Sequence, residues 1–167
     1  MALSKITNNM VSASGIPSGG VIQTVVGTLS GGTASLTDPT TYTDTGLTVD
    51  ITPNFSNSSI FVIATQVISV DAGVNNTRCD YRLLATQDST DTEVHVNRYF
   101  GQVGTTPTRI HIQCAATGMF DVGSTNQVTF HTEMRAAVGS TNEASSDSMV
   151  NWYTGSKYSI VAMEIAG

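Results

Sequence analysis

Hydrophobic and polar residues alternate along much of this chain with a period of two. In residues 127–136, Val128, Phe130, Thr132 and Met134 share one phase, and Gln127, Thr129, His131, Glu133 and Arg135 the other. A strand with one face in a core and one in solvent has this pattern. Residues 109–114 repeat it, with Ile110, Ile112 and Cys114 predicted inward and Arg109, His111 and Gln113 outward. In residues 78–84, Cys79, Tyr81 and Leu83 oppose Arg78, Asp80 and Arg82. In residues 93–100, Val94, Val96 and Phe100 oppose Glu93, His95, Asn97 and Tyr99.

Two segments are apolar on both phases. Residues 60–70 read IFVIATQVISV and residues 157–167 read KYSIVAMEIAG. Their β-branched content argues for strands, and two apolar faces predict burial on both sides in the middle of a packed sheet. The last strand is thus expected to insert between earlier ones to complete the fold. Residues 21–29, 47–51 and 149–153 supply further strands. They are separated by the breakers Asp38-Pro39, Pro53-Asn54 and Thr154-Gly155-Ser156 and by polar loops at 71–76, 87–91, 101–107, 118–126 and 138–148. About eight or nine strands at spacings of roughly 8 to 15 residues, with no amphipathic helix of useful length, predict an all-β chain. The expected architecture is an antiparallel β-sandwich, jelly-roll-like.

Residues 1–19 lack a sustained period and end in the breaker Pro17-Ser18-Gly19. They form an expected extended N-terminal arm, with residues 20–167 as the sandwich domain. Leu3, Ile6, Met10 and Val11 are its candidate docking anchors, on a neighbouring subunit or another partner; simple disorder is the alternative.

Composition sharpens this reading. Charged residues make up 12% of the 167 positions, and serine plus threonine about a quarter, a hydroxyl-rich surface suited to strands. The net charge is −6 and no Lys/Arg cluster occurs, which argues against nucleic acid as a partner, since phosphate neutralisation needs concentrated positive charge. No apolar run reaches the roughly 18 to 20 residues of a membrane-spanning helix. The N-terminus lacks the apolar core of a signal peptide, so synthesis and assembly in a cytosol are expected.

No constellation announces catalysis or a cofactor. His95, His111 and His131 fall on polar phases; they could meet at a metal if strands or subunits converged, but lack tight ligand spacing. Asp88, Asp91 and Glu93 crowd one connection without the glycine and spacing of a calcium loop. Cys79 and Cys114 read as buried thiols, with a bridge between adjacent strands as the alternative. Glu164 is singular, a carboxylate inside the most apolar strand, and must be paired or face an interface. Arg82 and Arg135 are its expected partners in a structural ion pair; a catalytic glutamate is the other reading.

Several stretches, in order, carry a resemblance. They are Ile16-Pro17-Ser18-Gly19-Gly20-Val21-Ile22-Gln23-Thr24-Val25, Thr41-Tyr42-Thr43-Asp44-Thr45-Gly46-Leu47, Ile51-Thr52-Pro53, Ser58-Ser59-Ile60-Phe61-Val62, Tyr81-Arg82-Leu83 and Ala162-Met163-Glu164-Ile165. Together they resemble a β-rich module of tailed-bacteriophage virion proteins, over residues 16–167; Leu3-Ser4-Lys5-Ile6-Thr7 is similar to lead-in segments before such modules. The resemblance implies a trimer-forming β-sandwich on the virion surface, as a fibre tip, collar or head decoration. Because the module makes up nearly the whole sequence, a capsid decoration (cement) protein that contacts the major capsid protein is the leading expectation. A tail-fibre or collar-fibre tip reading host-surface glycans is the alternative.

Overall fold

In a computed structural model, the strands pair as a ribbon folded back on itself. The structure describes residues 16–30, 41–71, 77–103, 109–138, 149–150 and 157–167. The strands are β1 (Val21–Ser30), β2 (Thr43–Ile51), β3 (Ser59–Asp71), β4 (Thr77–Gln87), β5 (Thr90–Val103), β6 (Arg109–Asp121), β7 (Val128–Val138), β8 (Met149–Val150) and β9 (Lys157–Ile165). The hairpin β4–β5 is innermost, and the antiparallel pairs β3–β6, β2–β7 and β1–β9 enclose it in turn. Rolling that ribbon gives two sheets, ordered β1-β9-β3-β6 and β2-β7-β4-β5, with the two-residue β8 beside β3. This is a jelly roll, as the alternation predicts.

The phases fall as expected over most of the chain. Val128, Phe130, Thr132 and Met134 are buried, as are Cys79, Tyr81, Leu83 and Cys114. The apolar ones form one core with Ile60, Val62, Ala64, Ile160 and Ala162, which share a sheet with Cys114, and Phe120 packs edge-on against Phe130. Several boundaries moved, and β5 takes in residues expected in the loops on either side of it, from Thr90 to Val103. β2 begins four residues earlier than the apolar run at Leu47, and β6 runs through the expected loop to Asp121.

β9 lies between β1 and β3, a central position as expected. The expectation of burial on both faces is corrected. Tyr158, Ile160, Ala162 and Glu164 face the core, but Val161, Met163 and Ile165 are only half-buried on the outside. β3 behaves alike, with Val62, Ala64 and Gln66 inside and Phe61 and Ile63 half-exposed. A two-sheet sandwich covers one face of each sheet, so the second apolar face of these strands remains outward.

Both open sides of the sandwich are drawn shut. At one edge β1 comes so close to β2 that a Cβ on Gly27 would lie 2.0 Å from the Thr48 carbonyl oxygen. At the other, a Cβ on Gly118 would lie 2.4 Å from Val94 Cγ1. Gly27→Ala is therefore expected to destabilise the fold by about 1–3 kcal/mol through forced separation of backbones. An unchanged urea midpoint would show that β1 and β2 need not approach.

The arm anchors Leu3, Ile6, Met10 and Val11, the 31–40 and 139–148 segments and the turn at 154–156 lie outside the described residues.

Candidate functional site: a carboxylate clasp and two unlike sheet faces

Glu164 is fully buried at the end of β9, on the same phase as Ile160 and Ala162. Its partners are five neutral donors. Oε1 accepts from the backbone N–H of Asn54 (2.9 Å), the backbone N–H of Phe55 (3.2 Å) and the Ser58 hydroxyl (2.8 Å). Oε2 accepts from Gln23 Nε2 (2.8 Å) and Asn54 Nδ2 (2.9 Å). Burial pushes this carboxyl up, but the Asn54 amide, the Ser58 hydroxyl and the side-chain amides of Asn54 and Gln23 outweigh it and hold it below its ordinary value.

The expected ion pair of Glu164 with Arg82 or Arg135 is thus corrected. Both arginines stand on the other sheet, facing outward. Arg82 Nε donates to Glu133 Oε2 at 2.7 Å, with Glu93 at 3.9 Å from its far end. Arg135 grips Asp80 through Nε (2.9 Å) and a terminal nitrogen (2.7 Å). An alternating strand sends Glu164 into the core and Arg135 to the outer surface, and the β2–β3 loop supplies the donors instead. Gln23, Asn54 and Ser58 were not read from the sequence as partners. The shared phase of Gln23, Val25 and Leu29 carried a signal for the first; the other two sit in irregular backbone, where periodicity says nothing.

The clasp ties four parts of the chain together. Gln23 Nε2 also donates to the Thr52 carbonyl (2.7 Å). Ala166 N–H donates to the Gly20 carbonyl (2.9 Å), and Gly19 N–H, at φ +82, to the Ala166 carbonyl (2.8 Å). The Gly167 backbone abuts the Asn57 carbonyl. β1 and the β2–β3 loop converge on the one carboxylate of β9, and the entry turn is held beside it through the Ala166 backbone.

His95 and His131 do not converge. A bulge between Leu83 and Leu84 in the β4–β5 ladder turns His95 and Asn97 away from the expected outward phase. His95 Nδ1 lies 3.0 Å from the Thr117 carbonyl, and Asn97 Nδ2 donates to the Ala115 carbonyl at 3.4 Å, bridging to β6. His131 stands on the outer face of β7, 3.6 Å from Glu133. The side chain of His111 lies outside the described residues.

The three crowded carboxylates have separate partners: Asp91 accepts from Thr86 (2.6 Å), Asp88 from Asn126 (2.7 Å), and Glu93 faces Arg82. Among the described residues no group of His, Cys, Asp and Glu is placed to hold a metal ion. Cys79 and Cys114 are buried, unbridged thiols. Burial, then the neighbouring Cys114 and Asp80, push the Cys79 thiol far up, so it is no nucleophile.

What remains on the surface is a contrast between faces. The outer face of the β2-β7-β4-β5 sheet carries the Arg82–Glu133 and Arg135–Asp80 pairs, with both guanidinium groups over the Tyr42 ring at 3.8 and 4.6 Å. The outer face of the β1-β9-β3-β6 sheet presents three successive cross-strand rows. They are Thr28-Ser159-Thr65-Ala115, Val26-Val161-Ile63-Thr117 and Thr24-Met163-Phe61-Met119, none with a charge. Val26 is 56% exposed and Met119 54%.

No protein-family model matches the chain, and no curated protein matches it. Among solved structures, the fold is similar to a chain in the structure of infectious bursal disease virus Gx strain, with a TM-score of 0.50 at 10% identity, covering 89% of this chain and 34% of that one. A chain of the T13 particle of the same virus aligns with 87% of this chain and 36% of its own, at 11% identity and a TM-score of 0.47. A third match is the VP2 subviral particle of that virus, at 10% identity and a TM-score of 0.45, over 89% and 39%. This chain spans about a third of the length of the chains it matches, and at such identity the likeness is one of fold.

Proposed function

We propose that this protein is a structural subunit of a tailed-phage virion, a homotrimer that decorates the capsid surface as a cement protein. The observation that carries the reading is the pair of unlike faces on a jelly roll. One sheet shows an ordered ionic network, and the other, among the described residues, three cross-strand rows of uncharged apolar and hydroxyl side chains. The order of motifs shared with phage virion modules, and a fold also found in a viral particle, support the same assignment. The role is one of assembly, without catalysis or cofactor. The arm contacts the major capsid protein through Leu3, Ile6, Met10 and Val11, whose burial offsets roughly 1 kcal/mol or more of conformational entropy per ordered residue.

A second reading, a fibre tip for host-surface glycans, is favoured by one feature. The β4–β5 turn, with Asp88 and Ser89 at positive φ, joins Thr86, Gln87, Ser124 and Asn126 in a cluster of hydroxyl and amide groups at one end of the sandwich. Copy number and position on intact particles separate the two. Hundreds of copies over the head are expected; a handful at the tail would install the fibre reading. With undecorated heads, replacing the four arm anchors by serine is expected to abolish add-back. Full-strength binding by that variant would remove the arm from the mechanism.

A further inference from the structure

We infer that an ordered water molecule sits inside the sandwich, held by the side-chain amide of Gln66 and the phenol of Tyr81, and completes a hydrogen-bonded bridge between the two sheets. This site is independent of the virion reading, because it is built from the interior of the fold alone.

The bridge begins as a relay of hydrogens whose direction is fixed. Gln66 on β3 reaches across the core to Thr132 on β7, whose hydroxyl donates to the Gln66 carbonyl at 3.3 Å. That uses the one hydrogen of Thr132, so the Thr45 hydroxyl, 2.5 Å away, is the donor to Thr132. Thr45 accepts in turn from the backbone N–H of Leu47 at 3.3 Å. The relay therefore runs from Leu47 through two hydroxyls to the Gln66 amide, whose NH2 group has both hydrogens still to place. Gln66 is 1% exposed, and its Nε2 has no hydrogen-bond partner among the described residues. Turning the amide over would leave the carbonyl oxygen unpaired instead, so neither orientation satisfies it.

A second such group stands beside the same threonine. Tyr81 on β4 is fully buried, and its hydroxyl makes no hydrogen bond of ordinary distance and angle. Burial pushes this phenol far up, and the Thr132 hydroxyl next to it pulls the other way. Gln66 and Tyr81 thus flank one hydroxyl from opposite sheets. Leaving an amide and a phenol unpaired in a dry core is costly, whereas one immobilised water costs little.

Water is also the guest that fits. The positions beside Gln66 on the inner face of its sheet are small: Cys114 is its cross-strand partner, and Ala64 with Ala116 forms the neighbouring buried pair. A water needs room for little more than its own sphere and roughly two to four polar partners. Here it accepts from Gln66 Nε2 and shares a hydrogen bond with the Tyr81 hydroxyl, and Thr132 keeps one lone pair for it. Folded proteins hold on the order of one buried water per 27 residues, or about six in a chain of this length, and unpaired buried polar groups mark where they lie.

A crystal structure of the full chain at about 1.5 Å resolution tests this, together with water–amide cross-relaxation by NMR. Density for one water is expected about 2.7–3.2 Å from both Gln66 Nε2 and the Tyr81 hydroxyl oxygen. In solution the Gln66 side-chain NH2 is expected to show a direct cross-peak to a long-lived water. Gln66→Met keeps a flexible chain of similar length without the amide, and Tyr81→Phe removes only the hydroxyl. The water density is expected to vanish in the first and to be lost or weakened in the second. Wild-type density in which Gln66 Nε2 donates directly to a protein acceptor, with no water peak, would overturn the inference. So would a water that persists at full occupancy in Gln66→Met. If either variant fails to fold, the wild-type density and cross-peak still decide.

Discussion

A chain lacking residues 159–167 is expected to show no cooperative folding transition. The deletion takes out most of β9, the strand between β1 and β3, and β1 has its ladder with β9. Without it β1 has no sheet to join, and the inner residues Ile60, Val62 and Ala64 of β3 lose their neighbours across that ladder. The deleted segment also removes buried Ile160 and Ala162 and the half-buried Val161, Met163 and Ile165. A fully buried aliphatic side chain contributes about 1.5–3 kcal/mol. Several such losses rival the roughly 5–15 kcal/mol that holds a whole domain folded. Urea titration followed by tryptophan fluorescence and circular dichroism reads the outcome. A sigmoidal transition with a native-like near-UV spectrum would mean that the remaining strands form the sandwich alone.

Replacing Glu164 by glutamine is expected to cost about 3 kcal/mol at neutral pH, although the side chain keeps its size. Every group around Glu164 is a donor: two backbone N–H groups, one hydroxyl and two side-chain amides. Either orientation of the new amide turns an NH2 toward donors, breaking bonds to a charged acceptor that contribute about 1.5–3 kcal/mol each. The pH dependence gives a second, sharper test. The folded state holds this carboxyl below its ordinary value, so its stabilisation is fully present above the usual carboxylate range and is lost as pH falls through the folded value. The stability gap between wild type and Glu164→Gln should therefore be widest near pH 7 and narrow progressively in acid. Parallel stability profiles across that range would mean that the ionised carboxylate contributes nothing to the clasp.

The largest signals in the sequence were those of period two. Alternation in residues 127–136 placed Val128, Phe130, Thr132 and Met134 in the core and Arg135 outside, because pleating alone sends neighbours to opposite faces. The central place of the last strand was legible for the same reason, as was the carboxylate that demanded partners. The identity of those partners was not. Gln23, Asn54 and Ser58 are 141, 110 and 106 residues from Glu164 along the chain, and only the rolled ribbon brings them together. The stretches around Gly20, Pro53, Ser58 and Glu164, noticed in the sequence as separate motifs, are one site in space.

Local pattern likewise could not anticipate the bulge in the β4–β5 ladder, which turned His95 and Asn97 toward β6. Nor could it reveal the buried chain in which Thr45 meets Thr132 and Thr132 donates to Gln66 at 3.3 Å, since those side chains come from three strands in two sheets. By itself, then, the sequence determined the all-β class, the inner phase of most strands and the doubly apolar character of β3 and β9. The tertiary structure decided which side of each doubly apolar strand the sandwich covers. Two stacked sheets have only one interior between them, so the other apolar side faces outward.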